Sequence, residues 1–316
     1  MRIVFAGTPR AAVPALLALL ESRHDVVGVV TAPDAPVGRR RRLTASPVAQ
    51  TAADAGLPVL KTRRLDADAR RLLASWRPEL GVVVAFGALL PDAALAVPER
   101  GWITLHFSLL PRWRGAAPVA AAVLAGDDPV GFSIMRVVHD LDAGGVLAQI
   151  RVDRDPRATA GELTDRFAED GARALVDLVD GWEELGESGD DPAEVPQTAP
   201  STYAPKLSRE DGRIAWTAPA AAIVRRILAM SPEPGAWCRW READLKLLRA
   251  ETAGLDGDDA PEDGVAEPGL VDTTGHDPLV RAGDGWVRLV EVQPAGKRAM
   301  RARDWAHGLT EQTVLS

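Results

Sequence analysis

The first half of the chain alternates between short apolar runs and segments of helical period. "RIVFA" (2–6) reads as a buried strand, turned by "GTP" into "RAAVPALLALLES", a helical pattern with an internal proline. "DVVGVVTA" (25–32) is a second strand. "SPVAQTAADAG" (46–56) is a helix with Ser46 as N-cap, Pro47 at its first position and Gly56 beyond its end. "LPVLK", a charged helix at 66–75, and the runs "LGVVVAFG" (80–87) and "GWITLH" (101–106) continue the alternation. "AAPVAAAVLAG" (116–126) predicts a helix. "VGFSIMRVV" (130–138) and "GVLAQIRV" (145–152) flank the tight loop "HDLDAG", and 160–185 predicts a long amphipathic helix. Strands apolar on both faces and alternating with helices predict an open, mostly parallel α/β sheet.

Beyond that helix the pattern changes. "GESGDDPAEVPQTAPSTYAP" is polar and proline-rich and reads as a linker. The organisation expected is one domain at 1–188, a linker at 189–205 and a second domain at 206–316. In the second domain, short strand-like pieces ("GAWCRW", "DLKLLRAE", "PLVRA", "WVRLVEVQ") separated by turn residues predict a small β-barrel or sandwich. The acidic stretch 252–269 reads as a solvated loop.

Composition narrows the picture. A chain of 316 residues, 46% hydrophobic, suits two folded domains. The single cysteine, Cys238, excludes an internal disulfide and fits a reducing compartment, and no signal peptide or membrane span is read, so the cytoplasm is expected. The net charge of −8 argues against indiscriminate nucleic-acid binding. Against that background the four arginines Arg39, Arg40, Arg41 and Arg42 are a localised cationic cluster. It lies in a loop rich in proline and glycine and is a candidate phosphate contact.

The chemistry-bearing residues are few. "FAGTP" has one glycine where a dinucleotide fingerprint needs three. None of the five histidines is paired at metal-ligand spacing, so no metal is expected. His24 reads as a solvated turn residue. His106 ends a strand in the α/β half, where open sheets place their ligands. Thr104, two residues earlier, shares its face. Spacing alone leaves His106 open between packing and catalysis. Asp142 in "HDLDAGG" could orient that imidazole, and could equally bond its own turn.

"RIVFAGTP", "VVVAFGALLP", "LHFSLLPRWRGAAP", "LDAGG", "TYAPKLSREDGRIAW" and "VQPAGKRAMRARDWAHG" resemble, in order, segments of the methionyl-tRNA formyltransferase family. The resemblance implies a Rossmann-like formyltransferase domain followed by an OB-like barrel. It implies formyl transfer from N10-formyltetrahydrofolate, a co-substrate, to the α-amino group of methionine on initiator tRNA, by a monomer with no metal. His106, Asp142 and Thr104 would be catalytic. Folate would be held by Ser108, Leu109, Leu110 and Pro111, by Phe86, Gly87, Ala88, Leu89 and Leu90, and by the loop His139, Asp140, Leu141. The tRNA would be met by Arg39 to Arg42 and by Lys297, Arg298 and Arg301. Three positions depart from the family pattern: Thr104 replaces an asparagine, Asp140 a glycine, and Gly145 a frequent acidic residue. A sugar N-formyltransferase of the same fold and a catalytically weakened folate- or tRNA-binding homologue are the rival readings.

Overall fold

The computed structural model describes residues 1–38, 41–186, 191–254, 266–309 and 312–316. The chain forms two compact units. The first comprises Met1–Pro118, Val130–Val152 and Thr164–Ala204; the second comprises Val119–Pro129, Asp153–Leu163 and Pro205–Ser316.

In chain order the elements begin β1 (Arg2–Gly7), α1 (Val13–Glu21), β2 (Asp25–Thr31), β3 (Ala35–Val37), β4 (Arg42–Thr44), α2 (Pro47–Asp54), β5 (Val59–Lys61), α3 (Ala67–Ser75) and β6 (Leu80–Val84). They continue with α4 (Asp92–Leu95), β7 (Trp102–His106), β8 (Arg114–Gly115), α5 (Pro118–Ala125), β9 (Val130–Arg136), β10 (Val146–Val152), α6 (Ala160–Gly186) and β11 (Tyr203–Ala204). The helix starts follow the capping logic of the sequence. Ser46 Oγ accepts from Ala49 N–H at 3.0 Å ahead of Pro47, and Asp66 accepts from Ala69 N–H at 3.0 Å.

The first unit is built on a seven-stranded sheet in the order β10-β9-β7-β6-β1-β2-β5. β5, β2, β1, β6 and β7 run parallel, while β9 runs antiparallel to β7 and β10 antiparallel to β9. Strand order reverses at β1, the position where open α/β sheets leave a crevice beyond their strand ends. One face carries the cluster of Val4, Ala6, Val30, Leu65, Leu73, Phe86 and Trp102. On β7, Leu105 packs against α6 at Gly171. Thr104 and His106, offset by one residue, therefore face away from α6.

Three parts of this unit differ from the sequence pattern. The arginine loop contains a hairpin, β3 paired antiparallel with β4. Its Val37 and Leu43 are exposed, and Arg39 and Arg40 lie outside the described residues. His24 is buried, with its ring 3.1 Å from Asp180 of α6; burial lowers its pKa. The periodic pattern around residue 24 carries no sign of a helix more than 150 residues away in sequence. The proline-rich segment is not a free tether. Val146 and Val195 exchange backbone hydrogen bonds at 2.8 Å, and β11 pairs in parallel with β8.

The second unit contains α7 (Ala220–Met230), β12 (Ala236–Trp240), β13 (Ala243–Thr252), β14 (Val271–Asp272), β15 (Leu279–Arg281), β16 (Trp286–Pro294), β17 (Met300–Arg301) and α8 (Ala302–Ala306). Its sheet has the order β12-β13-β16-β15-β14, with β17 on β16, all antiparallel. Residues 313–316 bond to both edges of that order. Val271 N–H donates to Thr313 O at 2.9 Å, and Ser316 N–H donates to Arg239 O at 3.1 Å. The strand pattern passed over α7, whose Ile223, Val224, Ile227 and Leu228 are buried at helical spacing. Burial pushes the Cys238 thiol up to about 12, so it is no nucleophile.

Candidate active site

His106 closes β7 and is 8% exposed. The loop that follows, in which Leu110-Pro111 is a cis peptide, returns over it, and two features set the return. Ser108 Oγ spans the turn by donating to Arg112 O at 2.7 Å. Trp113 has φ 63°, a left-handed conformation costly for a bulky side chain, which turns its carbonyl to His106 Nε2 at 2.9 Å. A carbonyl only accepts, so Nε2 carries the hydrogen and Nδ1 is the nitrogen left to exchange a proton.

Nδ1 faces Asp142 Oδ2 at 3.7 Å. Asp142 rides on the excursion between β9 and β10. β9 ends beside the start of β7, with Arg136 opposite Ile103, so this loop climbs back toward His106. Asp142 itself has φ 49°. Its Oδ2 accepts from Gly115 N–H at 2.7 Å, and its carbonyl accepts from Gln197 Nε2 at 2.9 Å. Gly115 is required there: its φ is 112°, and a Cβ would lie 2.6 Å from Ala204 O. Thr104 is half-buried one pair along β7, and its hydroxyl bonds to no described residue.

The structure thus brings Asp142 to His106, keeps Thr104 two residues before His106 on the same strand, and gives several other candidates settings of their own. Ser108 and Leu110 are buried in the loop's own turn, with Leu110 O accepting from Gln149 Nε2 at 2.9 Å. The side chain of Phe86 belongs to the core, and its carbonyl accepts from Thr8 Oγ1 at 3.1 Å. Ala88 and Leu90 pack against the same core, whereas Gly87 and Leu89 are exposed. Leu109 and Pro111 are half-buried, and Asp140 and Leu141 are exposed. Exposed His139 contacts Asp92 at 2.9 Å, and that hydrogen bond raises its pKa. Arg41 and Arg42 lie on the hairpin in the first unit. Lys297, Arg298 and Arg301 are exposed around β17 in the second. Among the described residues no group of three His, Cys, Asp or Glu could hold a metal ion, and no helix is long and apolar enough to cross a membrane.

Two departures from the family pattern acquire a setting. A Cβ at Gly145 would meet Glu194 Oε2 at 2.5 Å, so a carboxylate from the distant segment occupies the space beside that glycine. Glu194 in turn pairs with Arg136 at 2.8 Å. Asp140 stays exposed and lends its carbonyl to Ala143 N–H at 3.3 Å. The sequence pattern missed Glu194, Gln197 and the backbone roles of Trp113 and Gly115. The signal for the last two was the RWRG turn itself; for Gln197 a lone polar residue among prolines offered none.

The structure places a histidine–carboxylate pair at the end of a strand of an open, mostly parallel sheet, under two loops that each carry a residue of positive φ. Two family descriptions match this chain: Formyl transferase over residues 1–179, and Formyl transferase, C-terminal domain, over 206–310. A methionyl-tRNA formyltransferase of Thermobifida fusca (strain YX) is 47% identical over 313 residues, covering 98% of this chain and 96% of that protein. Among solved structures, methionyl-tRNA formyltransferase from Clostridium thermocellum matches with TM-score 0.58 at 16% identity, over 82% of this chain and 95% of that one. HypX from Aquifex aeolicus, in complex with tetrahydrofolic acid, matches with TM-score 0.63 at 16% identity, over 98% of this chain, which spans 47% of that larger protein. The chain belongs to the methionyl-tRNA formyltransferase family.

Proposed function

We propose that this enzyme transfers the formyl group of 10-formyltetrahydrofolate to the α-amino group of methionine esterified to initiator tRNA. The observation that carries the reading is the His106–Asp142 pair at the end of β7, set in a chain matched along nearly its whole length by the relative from Thermobifida fusca. A folate would meet apolar side chains left exposed on two loops, Leu89 after β6 and Leu141 directly before Asp142. The donor supplies the formyl carbon and, as N10 departs, takes up a proton.

The chain's own groups do the rest. An attacking amine must be neutral and must lose a proton as its bond to carbon forms. His106 Nδ1 takes that proton, because Nε2 is committed to the Trp113 carbonyl. The Asp142 carboxylate, 3.7 Å from Nδ1, stands beside the cation that forms and attracts it through space, leaving the Nδ1 proton free to move on. His106 then returns the proton to the leaving nitrogen. The Thr104 hydroxyl donates to the developing oxyanion, over a reach one bond shorter than an asparagine amide.

Residues 1–188 form the catalytic domain in this reading, 189–205 connect it onward, and 206–316 contact tRNA. Arg39 to Arg42 and the patch of Lys297, Arg298 and Arg301 meet phosphates. The enzyme works in the cytoplasm, where tRNA is charged, as a monomer. The test is formyl transfer from 10-formyltetrahydrofolate to charged initiator tRNA by the purified chain. Transfer to nucleotide-linked amino sugars and not to Met-tRNA would overturn it.

A further inference from the structure

We infer that Gln197 is a positioning residue for the formyl transfer, acting through Asp142 from the segment that precedes β11; this rests on the reading of Asp142 and His106 as catalytic. The Gln197 carboxamide uses both of its ends. Nε2 donates to Asp142 O at 2.9 Å and to Gly144 O at 2.8 Å, spanning the left-handed turn that presents the Asp142 carboxylate. Oε1 accepts from Arg114 Nε at 3.1 Å and from Arg114 Nη2 at 2.8 Å.

Arg114 directly precedes Gly115, whose N–H holds Asp142 Oδ2 at 2.7 Å. One side chain therefore fixes the main chain on both sides of the Asp142–Gly115 contact. That matters because Asp142 stands in a backbone conformation a non-glycine residue avoids, at φ 49°. A turn of that kind persists only where its surroundings over-determine it. The two donors of Gln197 add to that restraint: the main chain closes the turn with one long bond, Ala143 N–H to Asp140 O at 3.3 Å, and β10 begins only at Val146. Gln197 is itself seated by its neighbours. Val195 is bonded to Val146, and Thr202 Oγ1 accepts from Trp113 N–H at 2.9 Å. The segment thus ties the loop carrying Asp142 to the loop that holds His106 Nε2.

Gln197→Glu separates these functions. It keeps an acceptor for Arg114 and replaces the donor by a carboxylate oxygen that faces two carbonyls. Steady-state kinetics of the full chain should show kcat lowered about 10- to 100-fold, the cost of a small misplacement near reacting groups. KM for folate and for Met-tRNA should each stay within about twofold, and the melting temperature close to the parent's. In an Asp142→Ala background the same change should lower kcat by less than about twofold, since the residue it acts through is gone.

Parent-like kcat in Gln197→Glu, an effect on KM alone, or an equal loss with and without Asp142 overturns the inference. Should Gln197→Glu not fold, Gln197→Met is measured in the same way, and failure of both to fold also overturns it. If Asp142→Ala itself turns over like the parent, the catalytic reading has failed, a result distinct from a slow Asp142→Ala beside a normal Gln197→Glu.

Discussion

The loop after β7 and the hairpin after β2 are made of similar material. "PRWRGAAP" and "PVGRRRR" both mix arginine with proline and glycine, yet their arginines live differently. In the first, Arg112 lies over the Trp113 ring at 4.6 Å, and Arg114 is held by Gln197. In the second, Arg41 and Arg42 are exposed beside exposed Val37 and Leu43, with no ion pair to any described residue. Cations that are engaged fix a backbone to within tenths of an ångström, as proton transfer demands. Cations left in solvent keep their charge available for a polyanion that brings its own geometry.

The largest effect should come from breaking the engaged loop at its chemical centre. His106→Ala and Asp142→Ala are each expected to lower kcat by about 10²–10⁴, measured by single-turnover formyl transfer with folate binding followed separately. A loss confined to folate affinity would mean that the pair only binds. Next comes the free hairpin. Arg41→Ala with Arg42→Ala should weaken tRNA use by about tenfold at moderate salt and flatten the salt dependence by one to two charges, leaving folate KM unchanged. An altered folate KM would move the hairpin to the donor side.

A smaller change concerns Thr104, whose hydroxyl bonds to no described residue. Thr104→Asn should raise kcat several-fold without altering folate affinity, because an amide reaches the oxyanion directly and the gain arises in the transition state. A variant no faster than the parent would show that the threonine hydroxyl already fills the role. The smallest effect tests the same contrast in the second unit. Glu162 is opposed by burial, but Thr159 N–H and Oγ1 and then Arg249 reverse that and hold its carboxyl below the ordinary 4.5. This charge is engaged, so its stabilisation is present above the unfolded pKa and is lost as pH falls through the folded one. Glu162→Gln keeps an oxygen for Thr159 N–H and loses only a screened, half-exposed charge, so it should cost about a few tenths of a kcal/mol near neutral pH, and the gap to the parent should close below about pH 4.5, read from urea unfolding against pH.

What the amino-acid pattern disclosed divides along the same line. The parallel sheet, the caps at Ser46 and the shared face of Thr104 and His106 follow from local periodicity, which a single segment carries within itself. The meeting of Asp142 with His106 was foreseen only as one of two outcomes, because a D-x-D turn bonds itself just as well. Gln197 and Glu194 were illegible: they belong to a segment without periodicity, and their partners lie more than 50 residues away. The burial of His24 escaped for the same reason. α7 was a different omission: its apolar spacing is present in "AAAIVRRILAM", and attention to strands hid it.

Residues 313–316 have a consequence for behaviour in a crowded solution. Any antiparallel sheet with a bare margin offers unpaired N–H and C=O groups to whatever extended peptide diffuses past. Here the two margins, at β12 and at β14, are bonded by the same short stretch of chain. The clasp leaves less template for a stray strand, so an extended peptide finds few free main-chain groups along these two margins.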